Sequence, residues 1–459
     1  MKTIAILGGG PAGYAAAITA ARQGKEVLLI EEKELGGTCL NEGCMPTKSL
    51  LQSAETFDRI RNAARFGIDV NPEQVSVNWA GVLKYKQGIT QQLQLGVSHL
   101  LKKNKVTVIK GKARFLTDRQ VEVTTAGGTE RIAADSFLIA TGSESVALAN
   151  APFDGRWVLD SHQALSLPAV PSSLLIIGGG VIGCEFASIF SRFGTRVTLV
   201  ELASQLLPGE DEDIAAVLQR HLQKAGVQIH TKASLAEARP ERKEALIQTE
   251  CGSVTVSADY MLVAVGRRPR VNNFGLEEIG VRYTPRGIAV NEQMQTNIPH
   301  LYACGDVIGG IQLAHVAFHE GITAALNACG VPARVRYNAV PRCIYTEPEI
   351  ASVGLTEKQA IDRYGDIRKG EFPFAANGKA LILQEAAGKV KVLVEPKYQE
   401  IVGVSIVGPR ATELIGQASL MLHAELTADV LESAIAAHPT LSEALQEALL
   451  NATSQALHG

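Results

Sequence analysis

The chain has 459 residues, and its 44 lysine and arginine residues nearly balance its 47 aspartate and glutamate residues, which gives a net charge of −3. This balance, without any basic block, argues against a protein that binds nucleic acid. At ~150 residues per domain, the length predicts about three domains. The 43 glycines indicate many close backbone approaches.

The N-terminal residues MKTIAILGGG lead directly into a predicted strand and a glycine turn, so we expect no signal or transit segment. No apolar run reaches the ~18 residues of a membrane span. Seven cysteines are too dispersed for a disulfide scaffold, and they lie at positions 39, 44, 184, 251, 304, 329 and 343. We therefore expect a cytoplasmic protein that does not bind a membrane.

An internal repeat relates residues 3–31 to residues 173–201 without a gap. Each copy is an apolar strand, a G-x-G-x-x-G turn, an apolar-periodic helix, a second strand and a terminal acid, which is the order of a dinucleotide-binding βαβ unit. The glycines allow a tight turn, approach to a pyrophosphate and close packing of helix on strand. Two dinucleotides are therefore predicted. The equivalent positions are Gly8 and Gly178, Gly10 and Gly180, Gly13 and Gly183, and Glu31 and Glu201.

The acid of the second copy indicates which nicotinamide nucleotide it takes. NADP requires a cation for its 2′-phosphate, whereas a carboxylate binds the ribose hydroxyls of NAD. The four residues after Glu201 are Leu-Ala-Ser-Gln, without lysine or arginine. If the second unit binds a nicotinamide, NAD is favoured.

Two cysteines, Cys39 and Cys44, lie in the segment GGTCLNEGCMPTK, residues 36–48. A structural disulfide across so short a loop removes little chain entropy, and zinc lacks further ligands in the sequence, so no metal site is predicted. A redox pair is favoured, because Lys48 and a predicted helix N-terminus both lower a thiol pKa. A flavin couples a dithiol to a nicotinamide. The cysteines begin eight residues after Glu31, so the first unit should hold the flavin and the second the NAD.

Later segments predict further elements of the same architecture. Strands are expected at 136–143, 261–269 and 301–307, with a helical run near 313–321. Asp306 follows a strand, where it suits a polyol hydroxyl or phosphate, or else is an ordinary turn or N-cap residue. From about Tyr337 a separate α+β domain is expected. Its predicted strands are 388–395 and 400–408, and its predicted helices are 411–424, 427–435 and 441–457.

A candidate base lies near the C-terminus. His438 precedes Pro439, which places it outside a regular helix, and Glu443 follows on the opening turn of the next predicted helix. A carboxylate there could hold one imidazole nitrogen and leave the other free, which suits proton transfer during thiol exchange. From the residues alone, a surface or capping histidine is an equal alternative.

Taken together, these motifs resemble the flavoprotein pyridine nucleotide–disulfide oxidoreductases of class I, and among them the dihydrolipoamide dehydrogenases, over essentially the whole chain. The motifs are the cysteine segment, the doubled GGGxxG, ATG at 140–142, GRRP at 266–269, CGDV at 304–307, YTEPEIASVG at 345–354 and HPTLSE at 438–443. The resemblance implies an α/β fold with two Rossmann-like dinucleotide-binding domains, for FAD and NAD, plus a C-terminal α+β dimerisation domain. The implied domains are FAD-binding (1–145), NAD-binding (146–268), the second part of the FAD or central domain (269–336) and interface (337–459).

The resemblance also implies roles for individual residues. Cys39 is the interchange thiol that meets substrate, and Cys44 is the thiolate that faces the flavin. Lys48 lies near flavin N5 and pairs with Glu185. His438, oriented by Glu443, acts as the base at the active site of the partner subunit. The implied FAD contacts are Gly8, Gly10, Pro11, Ala12, Gly13, Glu31, Gly37, Thr38, Lys48, Thr141, Gly142, Asp306, Ala314 and His315. The implied NAD contacts are Gly178, Gly180, Val181, Ile182, Gly183, Glu201 and Gly266.

The implied activity is NAD-linked oxidation of protein-bound dihydrolipoyl groups by a homodimer. The partner is a lipoyl-bearing E2 or carrier protein of a 2-oxo acid or acetoin dehydrogenase complex, or of glycine cleavage. A disulfide reductase of the glutathione type is an alternative, although it predicts cations after Glu201. A non-catalytic flavoprotein subunit is another, although it needs neither cysteine pair nor base. Val181 stands where many relatives carry an aromatic residue, which predicts a more open nicotinamide site or a different gate.

Overall fold

Two parallel five-stranded sheets and one antiparallel five-stranded sheet frame the protein, whose computed structural model describes residues 2–458. The first region contains β1 (Thr3–Leu7), α1 (Pro11–Arg22), β2 (Glu26–Glu31), α2 (Gly37–Asn41), α3 (Cys44–Arg61), α4 (Trp79–Lys103), β3 (Thr107–Lys110), β4 (Lys112–Thr117), β5 (Gln120–Thr125), β6 (Gly128–Ala133), β7 (Ser136–Ile139) and β8 (Ser143–Ser145).

The second region repeats this order of elements. It contains β9 (Val158–Leu159), α5 (Ser161–Ala164), β10 (Ser173–Ile177), α6 (Val181–Arg192), β11 (Arg196–Val200), α7 (Glu212–Lys224), β12 (Gln228–His230), β13 (Ser234–Arg239), β14 (Glu244–Thr249), β15 (Gly252–Ser257), β16 (Tyr260–Val263) and β17 (Arg267–Pro269). It is followed by β18 (Tyr283–Thr284), β19 (Gly287–Ile288), β20 (Leu301–Ala303) and α8 (Ala314–Ala328).

The last region forms the antiparallel sheet and its helices. It contains β21 (Arg342–Ile344), β22 (Glu349–Gly354), α9 (Glu357–Tyr364), β23 (Arg368–Pro373), α10 (Gly378–Leu383), β24 (Lys389–Val394), β25 (Ile401–Gly408), α11 (Ala411–His423), α12 (Ala428–Glu432) and α13 (Glu443–Ala452).

The first parallel sheet has the order β20-β7-β1-β2-β3 and takes one edge strand from far along the chain. α8 returns with that strand and packs on α1. An added Cβ on Gly321 of α8 would overlap the Ala12 backbone, so the helices are in close contact. The first nucleotide domain is therefore assembled from two separate parts of the chain.

The second parallel sheet has the order β12-β11-β10-β16-β9 and reproduces the central strands of the first. β10 is wholly buried, as expected for a strand with helices on both faces. Gly8 N–H donates to Ile30 at 2.8 Å, and Gly178 N–H donates to Val200 at 2.8 Å. The sequence repeat is thus a repeat of hydrogen bonds.

One pair of antiparallel strands connects the parallel sheets. β8 pairs antiparallel with β17, joining Ser143 to Pro269 and Ser145 to Arg267. The predicted domain boundaries at 145/146 and 268/269 fall at the end of β8 and within β17, so the polypeptide crosses between the two units as one two-stranded connection.

The antiparallel sheet has the order β21-β22-β25-β24-β23 and is covered by α11 and α13. Two predicted helices are shorter in the structure. The segment predicted at 441–457 is helical only over Glu443–Ala452, and Ser454 beyond it has a positive φ. The segment predicted at 427–435 is helical over Ala428–Glu432.

A buried ion cluster fixes the second unit against the last region. Lys391 of β24 has no exposed surface, and its Nζ lies 2.8 Å from Asp211 and Asp213 and 3.2 Å from Glu357. Glu357 N–H also donates to Asp211 at 3.0 Å. Since a buried ammonium requires such partners, the cluster ties the start of α7 to the antiparallel sheet.

Candidate active site

A cavity of about 1930 Å³ runs from the first glycine turn past the cysteine segment to the start of α8. It is larger than the ~300–1,000 Å³ of most small-ligand sites and has room for a dinucleotide. All predicted FAD residues line it except Gly13. They are Gly8, Gly10, Pro11, Ala12, Glu31, Gly37, Thr38, Lys48, Thr141, Gly142, Asp306, Ala314 and His315.

The first glycine turn has the chemistry that a dinucleotide requires. α1 begins directly after Gly10, so free backbone N–H groups and the positive helix end face the turn. Glu31 accepts Gly9 N–H at 2.6 Å and Lys33 N–H at 2.7 Å, and each oxygen keeps a further lone pair for a hydroxyl. Gly13 lies outside the cavity because its role is packing, since a Cβ there would overlap the Gly8 carbonyl.

The second glycine turn has the same local geometry. Glu201 accepts Gly179 N–H at 2.6 Å and Ala203 N–H at 2.7 Å. Val181 and Ile182 line the large cavity, and Val181 is 42% exposed. The other predicted NAD residues do not line it in the part of the chain that the structure describes; they are Gly178, Gly180, Gly183, Glu201 and Gly266. The first turn therefore lines the cavity of the cysteine segment directly, whereas the second reaches it through Val181 and Ile182.

The cysteine pair lies in the wall of the cavity as two free thiols. Cys39 is on the short helix α2, and Cys44 is the first residue of α3. A hydrogen bond from the Cys39 thiol and the Lys48 ammonium lower the pKa of Cys44 to about 7, against the opposing effect of burial. The same hydrogen bond and burial raise the pKa of Cys39. Near neutral pH, Cys39 thus stays a thiol, whereas Cys44 readily loses its proton to become a thiolate.

Lys48 and Glu185 meet across the two nucleotide units. Lys48 Nζ lies 2.9 Å from both carboxylate oxygens of Glu185, whose residue is only 3% exposed. Lys48 is one helical turn after Cys44, so its charge acts on that sulfur. α6 thereby brings a carboxylate from the second unit to the dithiol of the first.

Asp306 lies in a polar chain that the sequence did not reveal. Its Oδ2 accepts the Ser143 hydroxyl at 2.5 Å, and Ser143 Oγ accepts Arg267 Nε–H at 2.8 Å. Arg267 also donates to Thr38 Oγ1 at 3.4 Å, beside Cys39. In the sequence, Arg267 is part of the GRRP motif and Ser143 follows the ATG motif. Neither position predicts a contact with Asp306.

The histidines at the start of α8 do not form a metal site. His315 Nε2 lies 3.0 Å from the Pro341 carbonyl, and burial lowers the pKa of His315. No group of three or more metal-binding side chains occurs within residues 2–458. Ala314 and His315 present the N-terminus of α8 to the cavity instead.

His438 and Glu443 form a pair outside the cavity. His438 Nδ1 lies 2.8 Å from Glu443 Oε1, and Thr440 N–H donates to Glu443 Oε2 at 2.8 Å. These two hydrogen bonds, that of Thr440 first, lower the pKa of Glu443. The imidazole is 79% exposed and leaves Nε2 free. Within a single chain the pair does not line the wall that holds Cys39.

Comparisons with known proteins agree over the full length. Residues 2–321 match the family described as pyridine nucleotide-disulphide oxidoreductase, and residues 340–449 match its dimerisation domain. Dihydrolipoyl dehydrogenase of Bacillus subtilis (strain 168) is 55% identical, covering 99% of this chain and 100% of that protein. A protein of the same name from Geobacillus stearothermophilus is 40% identical, covering 99% and 96%.

Solved structures give the same result. LpdA from Mycobacterium tuberculosis superposes with a TM-score of 0.90 at 28% identity, covering 98% of this chain and 99% of that chain. The HOCl-induced flavoprotein disulfide reductase RclA from Escherichia coli, solved as a Cu(II) complex, superposes with a TM-score of 0.86 at 30% identity, covering 98% of both chains.

These similarities confirm the predicted resemblance, the predicted α/β fold with a dimerisation domain, and an oxidoreductase that uses FAD and NAD. The dimerisation match supports the predicted homodimer. Among the described residues, no helix is long and apolar enough to cross a membrane. The chain belongs to the pyridine nucleotide-disulphide oxidoreductase family.

Proposed function

We propose that this chain is an NAD-linked dihydrolipoyl dehydrogenase, which oxidises protein-bound dihydrolipoyl groups to the cyclic disulfide. One observation carries the proposal. The Cys39–Cys44 pair, in which the pKa of Cys44 is lowered, lies in the wall of the same cavity that the first glycine turn lines. The full-length relatives named dihydrolipoyl dehydrogenase support the choice of substrate.

The cysteine pair oxidises the substrate in two thiol–disulfide exchange steps. A dihydrolipoyl thiolate attacks Cys39 of the oxidised pair, forms a mixed disulfide and releases Cys44 as a thiolate. The second substrate sulfur attacks the first, which forms lipoyl disulfide and releases Cys39. Lys48 stabilises the Cys44 anion, since the ammonium lowers the pKa of that thiol. Two electrons and two protons have then left the substrate.

The cofactor residues divide between the two units. Glu31 and the first glycine turn hold FAD, and Glu201 and the second glycine turn hold NAD. Bound FAD supplies the two-electron exchange between the dithiol and the nicotinamide. Asp306, held by Ser143, offers its remaining lone pairs to a polyol hydroxyl.

His438 removes the proton from the incoming thiol. Its pair with Glu443 holds Nδ1 and leaves Nε2 free. Because the imidazole is exposed and outside the cavity of its own chain, we assign it to the cavity of the partner in the homodimer. Each active site then requires both chains.

The partner that delivers substrate is a lipoyl-bearing E2 or carrier protein of a 2-oxo acid or acetoin dehydrogenase complex, or of glycine cleavage. The cytoplasm is the proposed compartment, because a reducing environment keeps the remaining cysteines as thiols.

The substrate assignment is tested by steady-state rates of the holoenzyme with dihydrolipoamide, a dihydrolipoyl carrier protein and reduced glutathione, each with NAD and NADP. We expect dihydrolipoyl substrates with NAD to be favoured by a factor of about 100 or more in kcat/KM. Equal rates with glutathione and NADP contradict the proposal. Cys44→Ser should abolish turnover. Cys184→Ser should retain it, because Cys184 is a buried thiol that donates a hydrogen bond to the Gly179 carbonyl at 3.2 Å.

The base is tested with a matched histidine–glutamate pair whose carboxylate lies on the same helix, α13. His458 Nδ1 lies 2.9 Å from Glu447 and is 71% exposed, so it repeats the chemistry of His438 and Glu443. His438→Gln should lower kcat by about 10²–10⁴ with dihydrolipoamide, because general base catalysis contributes on that scale. His458→Gln should leave kcat unchanged. Equal losses in the two variants contradict the assignment.

Heterodimers test whether the base acts on the other chain. Mixing His438→Gln with Cys44→Ser subunits forms dimers that contain one intact site only if His438 of one chain serves Cys39 of the other. Activity that returns to about half of the wild-type dimer, after correction for the fraction of mixed dimers, supports the proposed arrangement. No recovery in purified mixed dimers contradicts it.

A further inference from the structure

Three regions of the fold meet at one ion pair beside the dithiol. Lys48 comes from α3, Glu185 from α6 of the second unit, and Tyr345 from the end of β21 in the last region. Lys48 Nζ lies 4.5 Å from the centre of the Tyr345 ring, and 2.9 Å from both oxygens of Glu185. Tyr345 N–H donates to Glu185 Oε1 at 3.1 Å.

We propose that Tyr345 is a positioning residue, whose ring face holds the Lys48 ammonium where it stabilises the Cys44 thiolate. The inference rests on the proposed function, in which that thiolate is the reduced form of the redox pair. It adds a residue of the same chain's dimerisation domain to the surroundings of the Cys44 thiolate, which the two nucleotide units otherwise supply.

The ring has the geometry for this role. A cation within ~6 Å of an aromatic centroid is attracted to the ring face. Lys48 and Glu185 act on Cys44 with opposite signs, since the ammonium lowers the pKa of that thiol and the carboxylate raises it. The ring gives the ammonium a second attractive contact besides Glu185, and the two contacts together limit the positions that the Lys48 side chain can take.

The two contacts of Tyr345 are separable by substitution. Its backbone N–H fixes Glu185 whatever side chain is present. A change of side chain therefore removes the ring from Lys48 and leaves the hydrogen bond to Glu185. The phenol is neutral at working pH, since burial raises the pKa of Tyr345 to about 12.

Other groups around these residues also contribute charge and must be held constant. The charged and titratable neighbours of Cys44 and Tyr345 are Cys39 on α2, Lys48 on α3, Glu185 on α6, Cys343 on β21, Glu349 on β22 and Glu413 on α11. None of them is altered in the variants below except Cys39, which is replaced in all of them alike.

The test uses the flavin-bound dimer in a Cys39→Ser background, so that Cys44 is a single thiol. The pH is varied, and the thiolate is followed by long-wavelength absorbance against the flavin and by methyl methanethiosulfonate labelling of the Cys44 peptide. Tyr345→Leu should raise the pH midpoint of the Cys44 thiolate by about 0.5–1 unit, because Lys48 is then held less firmly and stabilises the thiolate less. That shift corresponds to the free energy of a ring–cation contact. Tyr345→Phe should keep the midpoint of the parent.

A graded series keeps the test decisive if the leucine variant does not fold. Mono-, di- and trifluorophenylalanine at position 345 preserve the shape of the ring while weakening its face. The midpoint should rise stepwise with fluorination. Tyr398 supplies the control, because Lys397 Nζ lies 4.6 Å from its ring and Tyr398 is exposed and does not line the cavity. Tyr398→Leu should leave the midpoint unchanged.

Three outcomes overturn the inference: an unchanged midpoint in Tyr345→Leu, a flat fluorinated series, or an equal shift in Tyr345→Phe, which would assign the effect to the hydroxyl. These outcomes leave the proposed function intact. A parent protein with no thiolate at Cys44 below pH 9 would instead contradict both.

Discussion

The two dinucleotide units have the same backbone and hydrogen bonds but different surroundings. In each, the acid at the end of the second strand accepts the N–H of the middle glycine at 2.6 Å. Their helices differ. The inner face of α1 is made of alanine and glycine, whereas α6 buries Glu185, Phe186 and Phe190. Glu185 is equivalent to Ala15, and only the second unit has a carboxylate there.

This difference shows where the chemistry originates. The shared parts are the proposed nucleotide sites, and they are nearly the same in both copies. The proposed redox residues lie where the two copies differ: the cysteine segment follows the first unit, and Glu185 of the second unit stands where the first has alanine. The active site therefore arises where the two copies diverge.

The largest expected effect comes from substituting the third glycine of each G-x-G-x-x-G pattern, Gly13 in the first unit and Gly183 in the second. A Cβ on Gly13 would overlap the Gly8 carbonyl, and a Cβ on Gly183 would overlap the Gly178 carbonyl. Each alanine variant should lose about 1–3 kcal/mol of unfolding free energy from overpacking. Gly13→Ala should be purified with little flavin, whereas Gly183→Ala should keep its flavin and lose NAD reduction. Flavin absorbance per chain and NAD kinetics measure the two outcomes.

Gly180, the second glycine of the G-x-G-x-x-G pattern in the second unit, supplies the control for steric strain. A Cβ on Gly180 meets nothing within 4 Å. Gly180→Ala should therefore keep the stability of the parent while raising the KM for NAD, because the backbone approaches the pyrophosphate there. Full flavin content in Gly13→Ala, or loss of flavin in Gly183→Ala, would contradict the assignment of the two nucleotides.

Local patterns in the sequence predicted much of this fold. Strands and helices of both units follow from apolar periodicity and glycine position, and the observed β7 and β16 fall within or beside the predicted segments. His438 and Glu443 could be paired because they are five residues apart and Pro439 fixes the bend. Such features depend on neighbours in the chain.

Contacts between distant positions could not be predicted in this way. Arg267 reaches Ser143, and Lys391 joins Asp211 and Asp213, across more than a hundred residues. Tyr345 was part of a recognised motif, but its ring meets Lys48 only after three regions have packed. No periodicity encodes these partners, because each depends on the arrangement of whole domains.

An exchange of nucleotide preference is the next largest expected effect. Leu202 follows the acid of the second unit and is 75% exposed, so an arginine there remains solvated. The double variant Glu201→Ala/Leu202→Arg should raise the kcat/KM ratio of NADP to NAD by about 10–100-fold, because repulsion of the 2′-phosphate is replaced by attraction.

The equivalent acid of the first unit is the control for this exchange. Glu31→Ala should weaken the retention of flavin and leave the NADP to NAD ratio unchanged, since the first unit is the proposed site of the flavin dinucleotide. A changed ratio in Glu31→Ala would contradict the assignment of FAD to the first unit and NAD to the second.

The smallest expected effect concerns the one carboxylate that distinguishes the helices. Glu185→Ala gives the second unit the residue of the first, and Lys48→Met removes the opposing charge. Because Lys48 lowers the pKa of Cys44 and Glu185 raises it, the two substitutions should have opposite signs. With a pKa of about 7, Cys44 is a thiolate above that pH and is protonated below it.

In a Cys39→Ser background, the pH midpoint for labelling of Cys44 should therefore rise by about one unit in Lys48→Met and fall by a smaller amount in Glu185→Ala. Shifts of the same sign would mean that the pair acts on the sulfur through packing instead of charge. Opposite shifts would show that the second unit adjusts the thiol of the first through one carboxylate, in the place where the repeat has alanine.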